Sequence, residues 1–470
     1  MQDSKLWQLI TKLDGIALRE AERWVYSPFY NRKEQLRGLW DYLRKTMETS
    51  ATPPTPEKAF RVAFPRQVFR EQKLRIAMSE LYQLLLQYLG QKEIVKEPEF
   101  GLLYQARALR RLGLDQQARF ELQRARRANE HSPYRHAEHY LLAHEIEKEE
   151  YRFSARAEPT EDATLQSLSD TLDLAYMGAK LRQACLMIAH RSVYPSSSEV
   201  GFMEAAIRYI EQAGLKEEPS VALYYHCYLA LKPGGREPHF VSFKQLLIQQ
   251  GGAFPPAEVR DLYLLAINYC IRKVNDGEES YFGEIMELYK EGLKASHLLD
   301  SGRLSRFTYH NIVATALRTR DYDWAERFIY DYRNALSREY RESSFSFCLA
   351  RLEYTRKRFD EALPLLQKAN YRDPLLNLAA KTLLMKIYYE MQEPDLLDAH
   401  LEAMRNYIRR KRVIGYHRDN YLNITRYAKK LSTLNPYAQK EIALLIQAIQ
   451  REEVLTEKRW FEEQLALFQR

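Results

Sequence analysis

The part of this sequence that most resembles a metal site is a cluster of histidines. Four histidines lie close together, at His131, His136, His139 and His144. His136 and His139 are spaced i, i+3, so one helix face would carry both, and such a pair could hold a transition metal. A zinc protease needs the pattern HExxH, which this stretch lacks. We therefore predict a polar helix face here, with no metal and no cofactor.

The cysteines, by contrast, are isolated from one another in apolar stretches, at Cys185, Cys227, Cys270 and Cys348. His226 adjoins Cys227, but adjacent residues of a helix point in different directions, so they cannot act as base and nucleophile. We expect four buried, unpaired thiols, which are typical of a reducing compartment. The sequence has no apolar leader and no apolar run of about 18 residues, so we expect a cytoplasmic protein without membrane insertion.

Phosphate-binding motifs are missing as well, since the sequence contains neither GxxxxGK[ST] nor GxGxxG. Only 17 of the 470 residues are glycine, which disfavours the glycine-dependent turns of nucleotide-binding α/β folds. The acidic residues occur in charged runs that indicate solvated helix faces rather than acid–base pairs. We therefore predict that the protein is not an enzyme.

Arginine is concentrated in two short segments. The formal net charge of +8 is a mild excess that permits an acidic partner without requiring one. The arginines could contact carboxylates or phosphates, or they could lie on exposed helix faces and pair with acidic neighbours. This basic patch comprises Arg107, Arg110, Arg111, Arg405, Arg409, Arg410 and Arg412.

The elements that would position these residues are predicted to be helices in pairs. In residues 343–379, one helix is followed by a turn at 358–359 and by a second helix. Ala350 and Ala362 supply small side chains where the two helices cross, and Asp373 with Pro374 would cap and begin the next helix. Prolines mark the predicted helix starts at Pro133, Pro219, Pro238, Pro256, Pro374, Pro394 and Pro436.

A longer repeat connects these pairs. The cysteines and their equivalents recur about every 40 residues, each on the apolar first helix of a pair. The positions are Cys185, Cys227, Cys270, Asn311, Cys348, Met385 and Leu422. Continued towards the N terminus, the repeat predicts an all-α fold, an α–α superhelix of about nine helix pairs.

The unit at 343–379 resembles a tetratricopeptide (TPR) repeat. Residues at that family's small, aromatic and proline positions are Ala350, Phe359, Ala362, Leu366, Ala369 and Pro374. The resemblance implies a TPR-like solenoid that binds a protein or peptide on its concave face, where Tyr and Arg are frequent hot spots. The partner-binding positions that it implies are His310, Arg318, Phe347, Arg351, Tyr354 and Tyr388. The Lys/Asn set with which the family clamps chaperone tails is not found.

Residues 1–97 are predicted to form a separate N-terminal helical module, followed by the repeat array at 98–452 and a capping helix at 453–470. Four segments of the module resemble the N-terminal part of a family of uncharacterised bacterial helical proteins. They are SPFYN (27–31), LWDYL (39–43), AFRVAFP (59–65) and KLRIAMSELYQLLLQYL (73–89). This resemblance implies no activity.

Two functions from different classes are compatible with the sequence. The first is a non-enzymatic scaffold or adaptor that binds a protein or peptide. The alternative is a DNA-binding regulator, because one stretch resembles the recognition helix of winged-helix domains that precede TPR-like arrays. The residues concerned are Leu74, Arg75, Ser79, Leu81 and Leu85. A wing requires a β-hairpin after this helix, and we expect residues 90–98 to form none.

Overall fold

A computed structural model of the chain describes residues 1–49, 53–157, 162–193, 199–368, 373–410 and 415–469. Within these ranges the secondary structure consists of 23 α-helices and four short 3-10 helices, with no strand. An isolated β-bridge joins Asp300 and Arg303. The predicted all-α fold class is confirmed for this part of the chain.

The chain divides into two compact units, Met1–Tyr176 and Met177–Arg470. The first unit contains α1 (Lys5–Ile10), α2 (Gly15–Tyr26), α3 (Glu34–Thr49), α4 (Pro56–Ala63), α5 (Glu71–Val95), α6 (Pro98–Arg111), α7 (Asp115–His131), α8 (Ala137–Ala157) and the start of α9 (Asp162–Val193). The predicted boundaries at 97 and 452 differ from this division and stay predictions.

The second unit contains the remainder of α9. Its other helices are α10 (Met203–Gln212), α11 (Pro219–Leu231), α12 (Glu237–Gln250), α13 (Pro256–Asn275), α14 (Tyr281–Lys294), α15 (Arg306–Arg318), α16 (Tyr322–Asp331), α17 (Arg341–Thr355), α18 (Phe359–Lys368), α19 (Pro374–Glu390), α20 (Pro394–Arg410), α21 (Gly415–Ser432), α22 (Gln439–Arg451) and α23 (Lys458–Ala466).

Helices α1 to α5 share one hydrophobic core. Trp40 and Leu43 of α3 are fully buried in it, together with Phe60 of α4. Gly38 allows the close approach of α3 and α4, because a Cβ atom there would lie 3.0 Å from the carbonyl oxygen of Val62. A second core begins at Leu103 and joins α6, α7 and α8, so the predicted boundary at residue 97 falls between the two cores.

The stretch that resembles a DNA-recognition helix is part of the α1–α5 core. Leu74, Leu81 and Leu85 are buried there, and Arg75 pairs with Glu71 one turn earlier. Helix α5 continues to Val95 and α6 begins at Pro98, so residues 90–98 form no β-hairpin, as predicted.

Consecutive helices of the second unit pack against each other. The contacting pairs are α11 with α12, α13 with α14, α15 with α16, α17 with α18, and α19 with α20. Alternate helices also touch, since α17 contacts both α15 and α19, and α19 contacts α21. This packing fits a helical solenoid, in which each pair buries apolar surface against its neighbours.

The predicted repeat positions all fall on odd-numbered helices, which are the first helices of the pairs. Cys185, Cys227, Cys270, Asn311, Cys348, Met385 and Leu422 lie on α9, α11, α13, α15, α17, α19 and α21. The four cysteines are fully buried and free, as expected. The count of about nine pairs stays a prediction, because α8 and α9 are 21 and 32 residues long and do not follow the short paired pattern.

Five of the prolines begin helices as predicted, and two do not. Those that do are Pro219, Pro238, Pro256, Pro374 and Pro394. After Pro133 the Arg135 guanidinium bonds the carbonyl oxygens of Ser132 and Tyr134, which holds a turn until α8 begins. Before Pro436, the Asn435 side chain accepts a hydrogen bond from the Tyr437 N–H, so α22 does not begin at this proline.

The helix crossing inside the pair α17–α18 provides a test of this packing. Ala350 and Ala362 are both fully buried on these two helices. Ala350→Leu should lower the free energy of unfolding by about 1–3 kcal/mol, because extra methylenes do not fit a close-packed crossing. Urea denaturation measures the change. Ala443→Leu, on the exposed side of α22, is the control, since Leu and Ala have similar helix propensity. Equal stability of the two variants would contradict close packing of α17 and α18 at Ala350.

Candidate functional site

A groove of about 1110 Å³ lies in the second unit. Most of its lining residues lie on the alternate helices α15, α17 and α19, and Tyr421 of α21 and Trp460 of α23 also line it. Pockets for small molecules usually have volumes of roughly 300–1,000 Å³. The groove is therefore large enough for a chain segment.

Five of the six residues that were predicted to bind a partner line this groove. His310, Arg318, Phe347, Arg351 and Tyr354 line it. Tyr388 does not, and its ring packs against His400 on α20 with centroids 5.5 Å apart. Lys386 and Glu390 of α19 face the groove. Tyr388 lies two residues from each of them and therefore points to the opposite side of the helix. That any of these residues binds a partner stays a prediction.

The middle of the groove is formed by an aromatic ring, an imidazole and a guanidinium group. The rings of His310 and Phe347 have centroids 5.7 Å apart, and Cζ of Arg351 lies 5.7 Å from the Phe347 centroid. His310 Nε2 is buried and has no hydrogen-bond partner among the described residues. Burial, together with the charges of Arg351 and Arg306, lowers the pKa of His310 to about 4. His310 is thus neutral near pH 7, with one donor and one acceptor nitrogen.

Each carboxylate that lines the groove already has a cation beside it. The pairs are Arg306–Asp373, Lys357–Glu390, Lys386–Glu457, Arg459–Glu279 and Arg459–Glu463. The other lining arginines are Arg318, Arg320 and Arg351, and none of them forms an ion pair with any residue that the structure describes. The groove therefore has an excess of positive charge.

Asp373, at the N-terminal end of α19, is one of the lining residues that hold the groove helices together. Its carboxylate accepts hydrogen bonds of 2.9 Å from the N–H groups of Leu375 and Leu376, which caps α19 as the sequence predicts. It also accepts from Arg306 of α15 at 2.9 Å. Burial alone would raise the pKa of Asp373, but these hydrogen bonds hold it below its ordinary value. A single carboxylate therefore both begins α19 and ties it to α15.

Glu390, at the C-terminal end of α19, joins this helix to the end of α17 and to α23. Its carboxylate accepts from the Tyr354 hydroxyl of α17, from Lys357 after α17, and from Trp460 Nε1 of α23 at 2.9 Å. The Tyr389 and Trp460 rings also pack with centroids 5.5 Å apart. Helix α23 is thereby held against α19 and forms part of the groove wall.

The last helix begins later than the sequence suggests, at Lys458 instead of residue 453. Two amides of α21 hold the preceding segment in a non-helical form. Asn423 Nδ2 donates to the Val454 carbonyl oxygen, and Asn420 Oδ1 accepts from the Thr456 N–H. The capping role of this segment stays a prediction.

The basic patch has different surroundings in its two parts. In the first unit, Arg107 pairs with Glu145 and with the buried Glu149, and Arg110 also pairs with Glu149. Arg111 is exposed. Arg107 and Arg110 thus pair with carboxylates of the neighbouring helix α8. That any residue of the patch contacts a partner stays a prediction.

In the second unit, the patch lies on α20. Arg409 and Arg410 are exposed there, and Arg405 Nε reaches Thr425 Oγ1 at 3.5 Å. Arg412, like Ala369 of the TPR-like pattern, lies outside the described residues.

The histidines and cysteines that could take part in metal or thiol chemistry are part of helix packing. Burial, with the charge of Arg135, lowers the pKa of His139 to about 4. Burial raises the pKa of Cys348 to about 12 and raises that of Cys227. Across the described ranges, no group of three or more His, Cys, Asp or Glu is placed to hold a metal ion. Likewise, no helix within those ranges has the length and apolar character needed to cross a membrane.

Comparison with protein-family models, with curated proteins and with solved structures gives no match. The similarity to TPR repeats and to bacterial helical proteins thus rests on the residues quoted above.

The pairing of Glu390 provides a test of how α23 is held. Burial would raise its pKa above the ordinary 4.5, but hydrogen bonds from Lys357, Trp460 and Tyr354 lower it instead. The stabilisation that the ionised Glu390 contributes is therefore present above about pH 4.5. It is lost as the pH falls through the lowered pKa of Glu390. Glu390→Gln should raise amide exchange in residues 458–466 about tenfold at pH 7, as expected for losing a charged hydrogen bond of about 1.5 kcal/mol.

Hydrogen exchange with mass spectrometry measures this change. Glu393→Gln, at an exposed position just after α19, is the matched control and should leave the exchange unchanged. Equal exchange in wild type and Glu390→Gln would contradict the role of Glu390.

Proposed function

We propose that the chain is a non-enzymatic scaffold or adaptor, a TPR-like helical repeat protein whose groove binds an extended segment of another protein. The observation that carries the proposal is the construction of the groove from α15, α17 and α19. Side chains of all three helices line it. A peptide that follows the groove would contact one repeat after another, which is how stacked helix pairs form extended binding surfaces.

The side chains in the groove have the character of an interface. Phe347, Tyr354 and Trp460 offer aromatic surface, and Arg351 and Arg318 offer planar donors. Tyr, Trp and Arg are the residue types most frequent at binding hot spots. Ala314 and Ala379 lie among them and leave room for ligand side chains.

The ionisable groups of the groove favour binding over catalysis. Hydrogen bonds and cations lower the pKa values of Asp373 and Glu390, so both carboxylates are charged near pH 7 and are poor proton donors. General acid–base catalysis works best with groups whose pKa lies near the working pH. The buried cysteines, with raised pKa values at Cys227 and Cys348, are unsuited as nucleophiles. Free thiols are also compatible with the cytoplasm, where we propose that the protein works.

Blocking the groove tests the proposal. Ala314 lies one helical turn from His310 and one turn from Arg318, so Ala314→Trp would fill the groove. A displayed library of random linear peptides is selected on the purified full chain, and the enriched peptides are measured by fluorescence polarisation. We expect Ala314→Trp to weaken their binding at least tenfold, which corresponds to about 1.4 kcal/mol.

Ala403→Trp, on the exposed side of α20, is the control and should bind as the wild type does. Circular dichroism of both variants checks that each is folded. If no peptide is enriched, or if the enriched peptides bind Ala314→Trp with unchanged affinity, the groove is not the binding site.

A further inference from the structure

We infer that the segment bound in the groove is acidic, with side-chain carboxylates that are received by Arg351 and His310 in the middle and by Arg318 and Arg320 at one edge. This inference rests on the proposed function and names the chemistry of the partner. The observation behind it is the charge pattern of the groove. Its carboxylates are all paired within the protein, whereas these three arginines have no anionic partner in the part of the chain that the structure describes.

Arg351 occupies the most enclosed of these positions. It is partly buried on α17, and its guanidinium group lies beside the ring of Phe347. A cation that is partly withdrawn from water is best stabilised by a paired anion. Guanidinium groups match carboxylates particularly well, because two parallel N–H groups can bond both oxygens. Arg351 is thus prepared to receive a carboxylate that the protein itself does not supply.

His310 adds a second polar group at the same point. Its ring centroid lies 5.7 Å from that of Phe347, and its buried Nε2 has no hydrogen-bond partner within the described ranges. A neutral imidazole with the proton on Nε2 could donate to a carboxylate oxygen without adding a further charge. The pair Arg351 and His310 therefore offers both charge and a directed donor to one ligand group.

The remaining arginines extend the site along the groove. Arg318, at the end of α15, lies with Cζ 5.4 Å from the Phe282 ring centroid. Arg320 lies two residues later, after Thr319, and is exposed. A single terminal carboxylate would satisfy only one of these separated cations, whereas an extended chain with acidic side chains can reach several. The spacing therefore favours side-chain carboxylates over a chain terminus.

The mixture of charges argues against a nucleic acid in this groove. Five carboxylates lie among the lining residues: Glu279, Asp373, Glu390, Glu457 and Glu463. A nucleic-acid strand carries a negative charge at every nucleotide and would meet repulsion at each of them. A peptide can place its carboxylates only where the unpaired arginines lie.

Two designed probes test the inference with the full chain. The first is a fluorescein-labelled peptide in which Glu alternates with Ser, and the second has Gln in place of each Glu. Both carry an amidated C terminus, so that only side-chain carboxylates differ. In fluorescence polarisation at low salt, we expect the Glu peptide to bind at least tenfold more tightly than the Gln peptide, and we expect added NaCl to weaken only the Glu peptide.

Matched variants locate the effect. Arg351→Gln should reduce the preference for the Glu peptide about tenfold, and Arg351→Lys should restore part of it, since it keeps the charge but loses the bidentate geometry. Arg451→Gln removes the same formal charge from an exposed position at the end of α22 and should change nothing. If Arg451→Gln weakens binding as much as Arg351→Gln, the preference reflects net charge alone and the inference is wrong. Equal binding of the Glu and Gln peptides would also overturn it.

Failure here is distinguishable from failure of the proposed function. If the peptides enriched from the library are neutral or basic and still lose affinity in Ala314→Trp, the groove binds peptides and only the acidic preference is wrong. An added free C-terminal carboxylate on the Gln peptide provides the last comparison. If it restores full affinity, the site receives a chain terminus, which contradicts the assignment to side chains.

Discussion

Burial on more than one side of the odd-numbered helices is the constraint on which the second unit depends. Helix α17 shows it most clearly, because Phe345, Phe347, Cys348, Leu349 and Leu352 are all buried although they cannot lie on one face. Such a helix must have neighbours on several sides. It obtains them from α18, which follows in sequence, and from α15 and α19, which belong to adjacent pairs. Stacking of the helix pairs follows from this requirement.

The groove is a consequence of the same stacking. One side of α15, α17 and α19 remains uncovered by the second helices of the pairs, and this side carries the polar and aromatic residues of the site. Asp373 and Glu390, at the two ends of α19, hold this helix to its neighbours through hydrogen bonds that cross between helices. The carboxylates that line the groove are thus paired internally, whereas Arg318, Arg320 and Arg351 have no ion-pair partner among the residues that the structure describes.

Local patterns predicted the helix pairs well, whereas contacts over long sequence separations were not predictable. The apolar repeat through Cys227, Cys270 and Cys348 located α11, α13 and α17 because burial of small apolar residues recurs with the repeat. Tyr388 lies outside the groove, because an average period does not fix which face of one helix a residue occupies. The bond between Trp460 and Glu390 spans 70 residues, and no local signal indicates it. The charge balance of the groove depends on such pairs and became visible only in the structure.

The central claim is that an acidic peptide lies along α15, α17 and α19. The most direct measurement is photo-cross-linking of the Glu-containing peptide, carrying a photoreactive group, to the full chain, with the attachment sites mapped by mass spectrometry. The account predicts cross-links to residues of these three helices that line the groove, and their loss in Ala314→Trp. Cross-links confined to the first unit, or to the exposed side of α20 or α22, would contradict it.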